Sequence, residues 1–195
     1  MQDESLRFYK KKLRHEALAR RRALTHGERV AESLAISGQL KEMDLYKDAQ
    51  VVFCYVSVED EVHTRDILCQ AIMDGKRVCV PYIYDADSRI MTAAALHSIT
   101  ELVPGAFDIM TVRDDLYQEI DQNEIDLIIV PGAAFDKKGH RIGMGGGYYD
   151  IFLHGCPNAD KLAVAYECQL LDEFETENHD ITVDYILTKA GLLRC

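Results

Sequence analysis

Residues 126–153 read DLIIVPGAAFDKKGHRIGMGGGYYDIFL. Asp126 to Val130 is a continuous apolar run of strand length that Pro131-Gly132 ends, and Tyr148 to Leu153 resumes with helix-compatible apolar positions before Gly155 supplies a stop. Between them glycine stands at 143, 145, 146 and 147. A stretch so poor in side chains gives up packing and lets backbone N–H groups approach a ligand closely. In an open α/β sheet ligands sit at the carboxyl ends of strands, and a helix start favours anions, so this order of strand, glycine loop and helix points to a phosphate chain.

Two well-known phosphate loops are excluded by spacing. For GxGxxG starting at Gly143 the third glycine would fall on Tyr148, and starting at Gly145 it would fall on Asp150. No Gly-Lys followed by Ser or Thr occurs anywhere in the chain, so there is no P-loop either.

Outward from the loop, the pattern alternates. Leu6, Tyr9, Leu13, Ala17 and Leu18 predict an amphipathic opening helix over 5–22, and the capping box Thr25 to Glu28 predicts a second helix to about Leu40, with Val30 and Leu34 inward. Val51 to Val56 reads as a buried strand, Thr64 to Asp74 as a helix ended by Gly75, and Arg77 to Val80 as a strand stopped by Pro81. Arg89 to Leu96 is a further strand candidate, Val103 to Val112 reads as a loop, and Leu162 to Tyr166 and Tyr185 to Thr188 are short strands. Such alternation predicts an α/β fold with a mostly parallel sheet and helices on both faces. At 195 residues with 48% hydrophobic content, a single domain over 1–195 is expected.

Composition narrows the function classes. The net charge of −11 argues against general nucleic-acid binding, yet through Arg29 nine basic residues face four acidic ones. A basic helix on an acidic protein suits a small polyanion. No apolar run approaches a membrane span and Asp3 and Glu4 replace any apolar signal region, so no membrane partner and a cytoplasmic location are expected. The six cysteines form no CxxC pair, which suits a reducing compartment without structural zinc.

Three constellations carry candidate chemistry. Lys10 and Arg14, four residues apart, place two cations on one helix face, where they could clamp a polyphosphate above the glycine loop. Glu59, Asp60 and Glu61 follow the first strand and belong at the same sheet edge; Glu61 is the expected acceptor for a ring or amino group of a heterocyclic substrate. Asp150 and Asp184 are candidates for magnesium, which takes one or two carboxylates plus phosphate oxygens and water; either could instead cap its neighbouring element. Tyr148 and Tyr149 pack in the core or line a pocket for a flat ring, and His179 reads as a surface or hydrogen-bonded histidine.

Taken in order, KKKLR at 10–14, SVEDEVHT at 57–64, PGAAFDKKGHRIGMGGGYYD at 131–150 and HDITVDYILT at 179–188 resemble the 5-formyltetrahydrofolate cyclo-ligases, also called methenyltetrahydrofolate synthetases. The resemblance implies a three-layer α/β/α sandwich like that of the sugar-phosphate isomerase and CoA-transferase group. It implies a Mg-ATP-dependent enzyme, expected as a monomer, that phosphorylates the formyl oxygen of 5-formyltetrahydrofolate and closes the ring to 5,10-methenyltetrahydrofolate. By position it implies ATP contacts at Lys10, Lys11, Lys12, Leu13 and Arg14, and at Arg141, Ile142, Gly143, Met144, Gly145, Gly146, Gly147, Tyr148 and Tyr149. Lys10, Arg14 and Arg141 would stabilise charge. Folate contacts fall at Val56, Glu61 and residues 144–148, and magnesium at Asp150 and Asp184. Met144 and Gly146 stand where some members carry arginine and lysine, which shifts phosphate binding toward backbone N–H groups, Arg141 and the opening helix. VPGAFDIMTVRDD at 103–115 stands in place of a GIxEP-like stretch.

Two other readings fit the same residues: an isomerase or acyl-CoA transferase on the same fold, which would not consume ATP, and a nucleotide or folate sensor that binds without turnover.

Overall fold

A computed structural model describes the chain except residues 1, 59, 86–88 and 178; for residues 2, 3 and 85 only the backbone is described. In chain order the elements are α1 (Gln2–Ala23), α2 (His26–Leu40), α3 (Asp44–Asp48), β1 (Val51–Cys54), α4 (Arg65–Met73), β2 (Arg77–Asp85), β3 (Ile90–Leu96), β4 (Leu102–Pro104), β5 (Met110–Val112), β6 (Glu119–Ile120), β7 (Leu127–Val130), β8 (Ala134–Phe135), β9 (Arg141–Ile142), α5 (Tyr148–His154), β10 (Asp160–Val164), β11 (Tyr185–Thr188) and β12 (Gly191–Arg194).

Val51-Val52-Phe53-Cys54 and Leu127-Ile128-Ile129-Val130 are apolar at every position because both faces of their strands are covered. Side chains alternate across the sheet: Val52, Cys54, Leu127 and Ile129 pack with Ile36, Leu40, Ile67 and Leu68 of α2 and α4, while Val51, Phe53, Ile128 and Val130 pack with Phe152 and Leu153 of α5. The described residues form a main sheet in the order β12-β11-β10-β7-β1-β2-β3-β6. Its five inner strands, β11 to β2, run parallel, and β12, β3 and β6 add antiparallel edges. The mixed α/β reading, with a mostly parallel sheet between helices, holds.

Several boundaries differ for physical reasons. β2 continues through Pro81 to Asp85, because β1 pairs with it only as far as Cys79 and Pro81 meets a partner, Ala93, on the β3 side. A missing N–H there removes no rung toward β1. The segment read as a loop at 103–112 contains the β4–β5 hairpin, and a second hairpin, β8–β9, intervenes between β7 and the glycine loop. Thr25 and Glu28 do form the capping box, but α2 turns Leu34 outward and buries Glu32, Ser33, Ile36 and Leu40. Glu32 is drawn in by Lys189 at 2.9 Å and Ser33 by the Tyr166 hydroxyl at 3.3 Å.

What matters for function is where α1 lies. Ala17, with Leu13 and Leu18, packs on Ala133, Ala134, Ile142 and Phe174, so α1 rests on the β8–β9 hairpin at the carboxyl edge of the parallel strands. No helix among the described residues is long and apolar enough to cross a membrane.

Candidate active site

A cavity of about 1040 Å³ opens at that edge. That is at or above the usual span for one drug-sized ligand and leaves room for two small molecules side by side. Tyr55 and Val56 follow β1 into its wall, Pro131 and Gly132 follow β7, the glycine loop crosses it, and α1 covers one side.

The glycine loop is shaped by its backbone. Gly145 and Gly147 sit at φ 101° and 76°, values that an L side chain rarely adopts. Among the described residues the N–H groups of Gly143, Met144, Gly145 and Gly146 donate to no other group of the protein. They are free to receive an anion.

Cations frame this loop. Arg14 Nε donates to the Gly143 carbonyl at 2.6 Å, and burial lowers the Arg14 pKa. Arg141, which is 5% exposed, donates through Nη2 to Asp150 Oδ1 at 2.6 Å and lies 5.8 Å over the Tyr149 ring. Lys10, 8% exposed, is held between Glu177 at 2.8 Å and Asp180 at 2.6 Å. One turn of α1 therefore delivers Lys10 and Arg14 to the cavity, as their spacing required, together with Lys11. Lys12 and Leu13 do not line it. Lys12 pairs with Glu16 at 3.9 Å on the exposed face, and Leu13 packs on the apolar patch beneath α1. The Ile142 side chain is likewise buried in that patch, so of the run 141–149 it is the member that faces away.

Glu61 lines the same cavity. Its Oε2 accepts from the Val58 N–H at 3.1 Å, and Arg21 Nη1 lies 3.8 Å from its Oε1. Burial raises the Glu61 pKa, while the Val58 hydrogen bond and the Arg21 charge pull it back. Val56 shares this wall; Glu59 lies outside the described residues. Tyr149 reaches in from α5 with its ring edge-on to Phe53 at 6.3 Å. Its buried hydroxyl has no partner among the described residues.

The metal reading needs one correction. Asp184 precedes β11 and therefore sits at the amino edge of the sheet, away from the cavity, where its carboxylate accepts from the Lys161 N–H at 2.8 Å. It caps a strand start. The acid that reaches the cavity from the same stretch is Asp180: ligand atoms of Glu177, His179 and Asp180 lie within 4.8 Å of one another. Asp150 approaches the same corner, accepting from the Ile181 N–H at 3.3 Å. Carboxylate oxygens are the hard donors that a magnesium ion takes, and those of Glu177 and Asp180, which here hold Lys10, and of Asp150, which holds Arg141, lie on this cavity, whereas that of Asp184 does not. His179 is largely exposed, as expected, yet lies on the cavity mouth 3.8 Å from Glu177.

Sequence reasoning also missed a wall of the cavity. Ile83, Met91, Phe107 and Ile109 line it, and the Phe107 ring meets Tyr148 edge-to-face at 5.9 Å. The available signal was Pro104-Gly105 between the apolar positions of 102–112, which marks a turn between two strands.

The profile of the 5-formyltetrahydrofolate cyclo-ligase family matches residues 7–189. The chain belongs to this family of ligases. It is 30% identical to the 5-formyltetrahydrofolate cyclo-ligase of Mus musculus over 194 residues, covering 91% of this chain and 92% of the mouse protein. With the Escherichia coli K12 protein of the same name it shares 28% over 173 residues, 88% of this chain and 95% of that one. The solution structure of Aquifex aeolicus 5,10-methenyltetrahydrofolate synthetase superposes with a TM-score of 0.85 at 29% identity, covering 95% of this chain and 92% of that one. The synthetase of Mycoplasma pneumoniae, 20% identical, shares the fold with a TM-score of 0.74 over 92% of this chain and 98% of that one. This cyclo-ligase thus keeps the family's architecture over nearly its full length.

Proposed function

We propose that the protein uses Mg-ATP to convert 5-formyltetrahydrofolate into 5,10-methenyltetrahydrofolate, ADP and phosphate. The observation that carries this reading is that one cavity is lined both by groups suited to phosphates and by groups suited to a heterocycle. The first are the unpartnered loop N–H groups, Lys10, Arg14 and Arg141, and the second are Glu61, Tyr149, Tyr148 and Phe107. Family membership and relatives that bear the ligase name support it.

In the reaction the formyl oxygen attacks the γ-phosphorus, the bond from that phosphorus to the β-bridging oxygen breaks, and ADP departs. N10 then attacks the activated formyl carbon, the carbon–oxygen bond breaks with phosphate as leaving group, and N10 loses its proton to solvent. No bond to the protein forms. The chain's work is to align attacking and leaving oxygens and to neutralise charge as it develops. Arg14 and Lys10 act from α1 and Arg141 from the loop's base, while Glu61 accepts from N–H donors of the pterin. Asp150, Asp180 and Glu177 would hold magnesium, which offsets the negative charge of the phosphates when bound.

The test is an assay with ATP, magnesium and 5-formyltetrahydrofolate that follows methenyl-folate absorbance and ADP together, for the wild type and Lys10→Ala. Both signals should rise in step and fall sharply in the variant. ADP release without methenyl-folate, or no turnover at all, would overturn the reading.

A further inference from the structure

At the far end of α1 from Lys10 and Arg14 lies Arg21, which is 1% exposed. A guanidinium so deeply placed is costly unless it is paired. Its Nη2 donates to Asp60 Oδ1 at 2.9 Å and its Nη1 to the Gly132 carbonyl at 3.5 Å, and Nη1 lies 3.8 Å from Glu61 Oε1. Its Nε has no partner among the described residues. Asp60 has a second cation, Arg22 at 3.6 Å; Glu61 has Arg21. The main chain at Glu61 is fixed independently, since the Tyr166 hydroxyl donates to its carbonyl at 2.7 Å. On the carboxylate, the Val58 N–H donates to Oε2 at 3.1 Å, and Arg21 adds a cation 3.8 Å from Oε1.

We propose that Arg21 is the positioning residue that keeps the Glu61 carboxylate aimed into the cavity for the folate substrate. The proposal rests on the folate reading given above. It assigns α1 a double duty: its first half faces the nucleotide phosphates and its second half supports the group that binds the other substrate.

Charged and titratable groups around Glu61 come from each packed element: Arg21 from α1, Asp60 from its own loop, Tyr55 from the end of β1 and Tyr149 from α5. Burial favours the neutral acid; the Val58 hydrogen bond and then the Arg21 charge favour the carboxylate, and Asp60 opposes it. Removing Arg21 therefore lets Glu61 take up its proton at higher pH. Removing the charge of Asp60 acts in the opposite sense.

The experiment is the pH profile of kcat/KM for 5-formyltetrahydrofolate. Arg21→Met should move the acid limb to higher pH and raise the folate KM by about tenfold or more at neutral pH, with the ATP KM little changed. Arg21→Lys should restore the limb in part, and Asp60→Asn should move it to lower pH. In a Glu61→Gln background the same Arg21 change should no longer move the limb. A role confined to stapling α1 to the loop would lower thermal stability and leave the limb in place, which overturns the proposal. So does the same limb shift in the Glu61→Gln background. Should Arg21→Met fail to fold, Arg21→Lys and Asp60→Asn carry the test, because their expected shifts have opposite signs; shifts of the same sign overturn it. A wild type inactive toward 5-formyltetrahydrofolate sinks both readings, whereas an active wild type with an unshifted limb in the variants sinks this one alone.

Discussion

Arg14 Nε donates to the Gly143 carbonyl at 2.6 Å, so α1 is tied to the glycine loop at its first residue. A Cβ on Gly145 would meet the same guanidinium at ordinary contact, 3.4 Å from Arg14 Nη1, but the backbone there sits at φ 101°, which a side chain rarely adopts. Loop shape and arginine position fix one another. Gly145→Ala should therefore weaken ATP binding, by about ten- to hundredfold if the backbone strain costs roughly 1–3 kcal/mol. Calorimetric titration with an ATP analogue would measure this. Gly38→Ala is the control: it lies in α2 with nothing within 4 Å of the added carbon, and should raise stability by about 0.5–1 kcal/mol without touching binding.

The two aspartates of HDITVDYILT separate metal from structure. Asp180→Asn should raise the magnesium concentration needed for half-maximal turnover, because it removes a charged oxygen beside Glu177 and loosens Lys10. Asp184→Asn should leave that requirement unchanged and lower stability by about 1 kcal/mol, since its carboxylate accepts from the Lys161 N–H at the start of β10. A magnesium titration of both variants, with chemical denaturation alongside, tests the pair; a metal effect from Asp184→Asn would refute the placement.

These aspartates also mark where the sequence stops being legible. Periodicity and apolar runs give β1, α4, β7 and β11 to within two residues, and the glycine block gives the cavity's phosphate side, because both signals are local. Asp180 and Asp184 are four residues apart in one irregular segment, and which one turns toward the ligand depends on where β11 begins and on Asp150 accepting from the Ile181 N–H. That is tertiary information. Leu34 went astray similarly: its apolar character suggested burial, but Lys189 and Tyr166 pull Glu32 and Ser33 inward and rotate the helix face. Arg21 sits in a run of three arginines that reads as solvated, and only the packing of α1 shows which of them is buried.

Phe53 links core and site. Its ring lies 4.4 Å from that of Phe152 and 6.3 Å from that of Tyr149. Phe53→Ala should cost about 3–5 kcal/mol of stability, as expected for truncating a fully buried aromatic. It should also weaken folate affinity by releasing Tyr149. Guanidinium denaturation reads the first effect and the folate KM the second; a stability loss without any change in KM would show that Tyr149 is held without Phe53.

The β4–β5 hairpin makes a more specific case. Phe107 and Asp108, at its tip, both take left-handed backbone values, φ 56° and 58°, which non-glycine residues adopt at a cost. The turn is closed by bonds from the Gly105 N–H to the Ile109 carbonyl at 2.9 Å and from the Ile109 N–H to the Ala106 carbonyl at 3.1 Å. The strained turn holds an exposed phenyl ring edge-to-face against Tyr148 at the cavity mouth, so that the pair forms one aromatic surface for a flat ring. Phe107→Ala should raise the folate KM about three- to tenfold, the value of one aromatic contact of roughly 0.5–1.5 kcal/mol, and leave the ATP KM alone. Asp108→Gly should do the reverse of harm: it removes a side chain from a left-handed position, stabilises the turn by about 1 kcal/mol and leaves the folate KM near that of the wild type. Steady-state kinetics on both substrates decides this, and an ATP KM that rises as much as the folate KM in Phe107→Ala would place the nucleotide, not the pterin, under this hairpin.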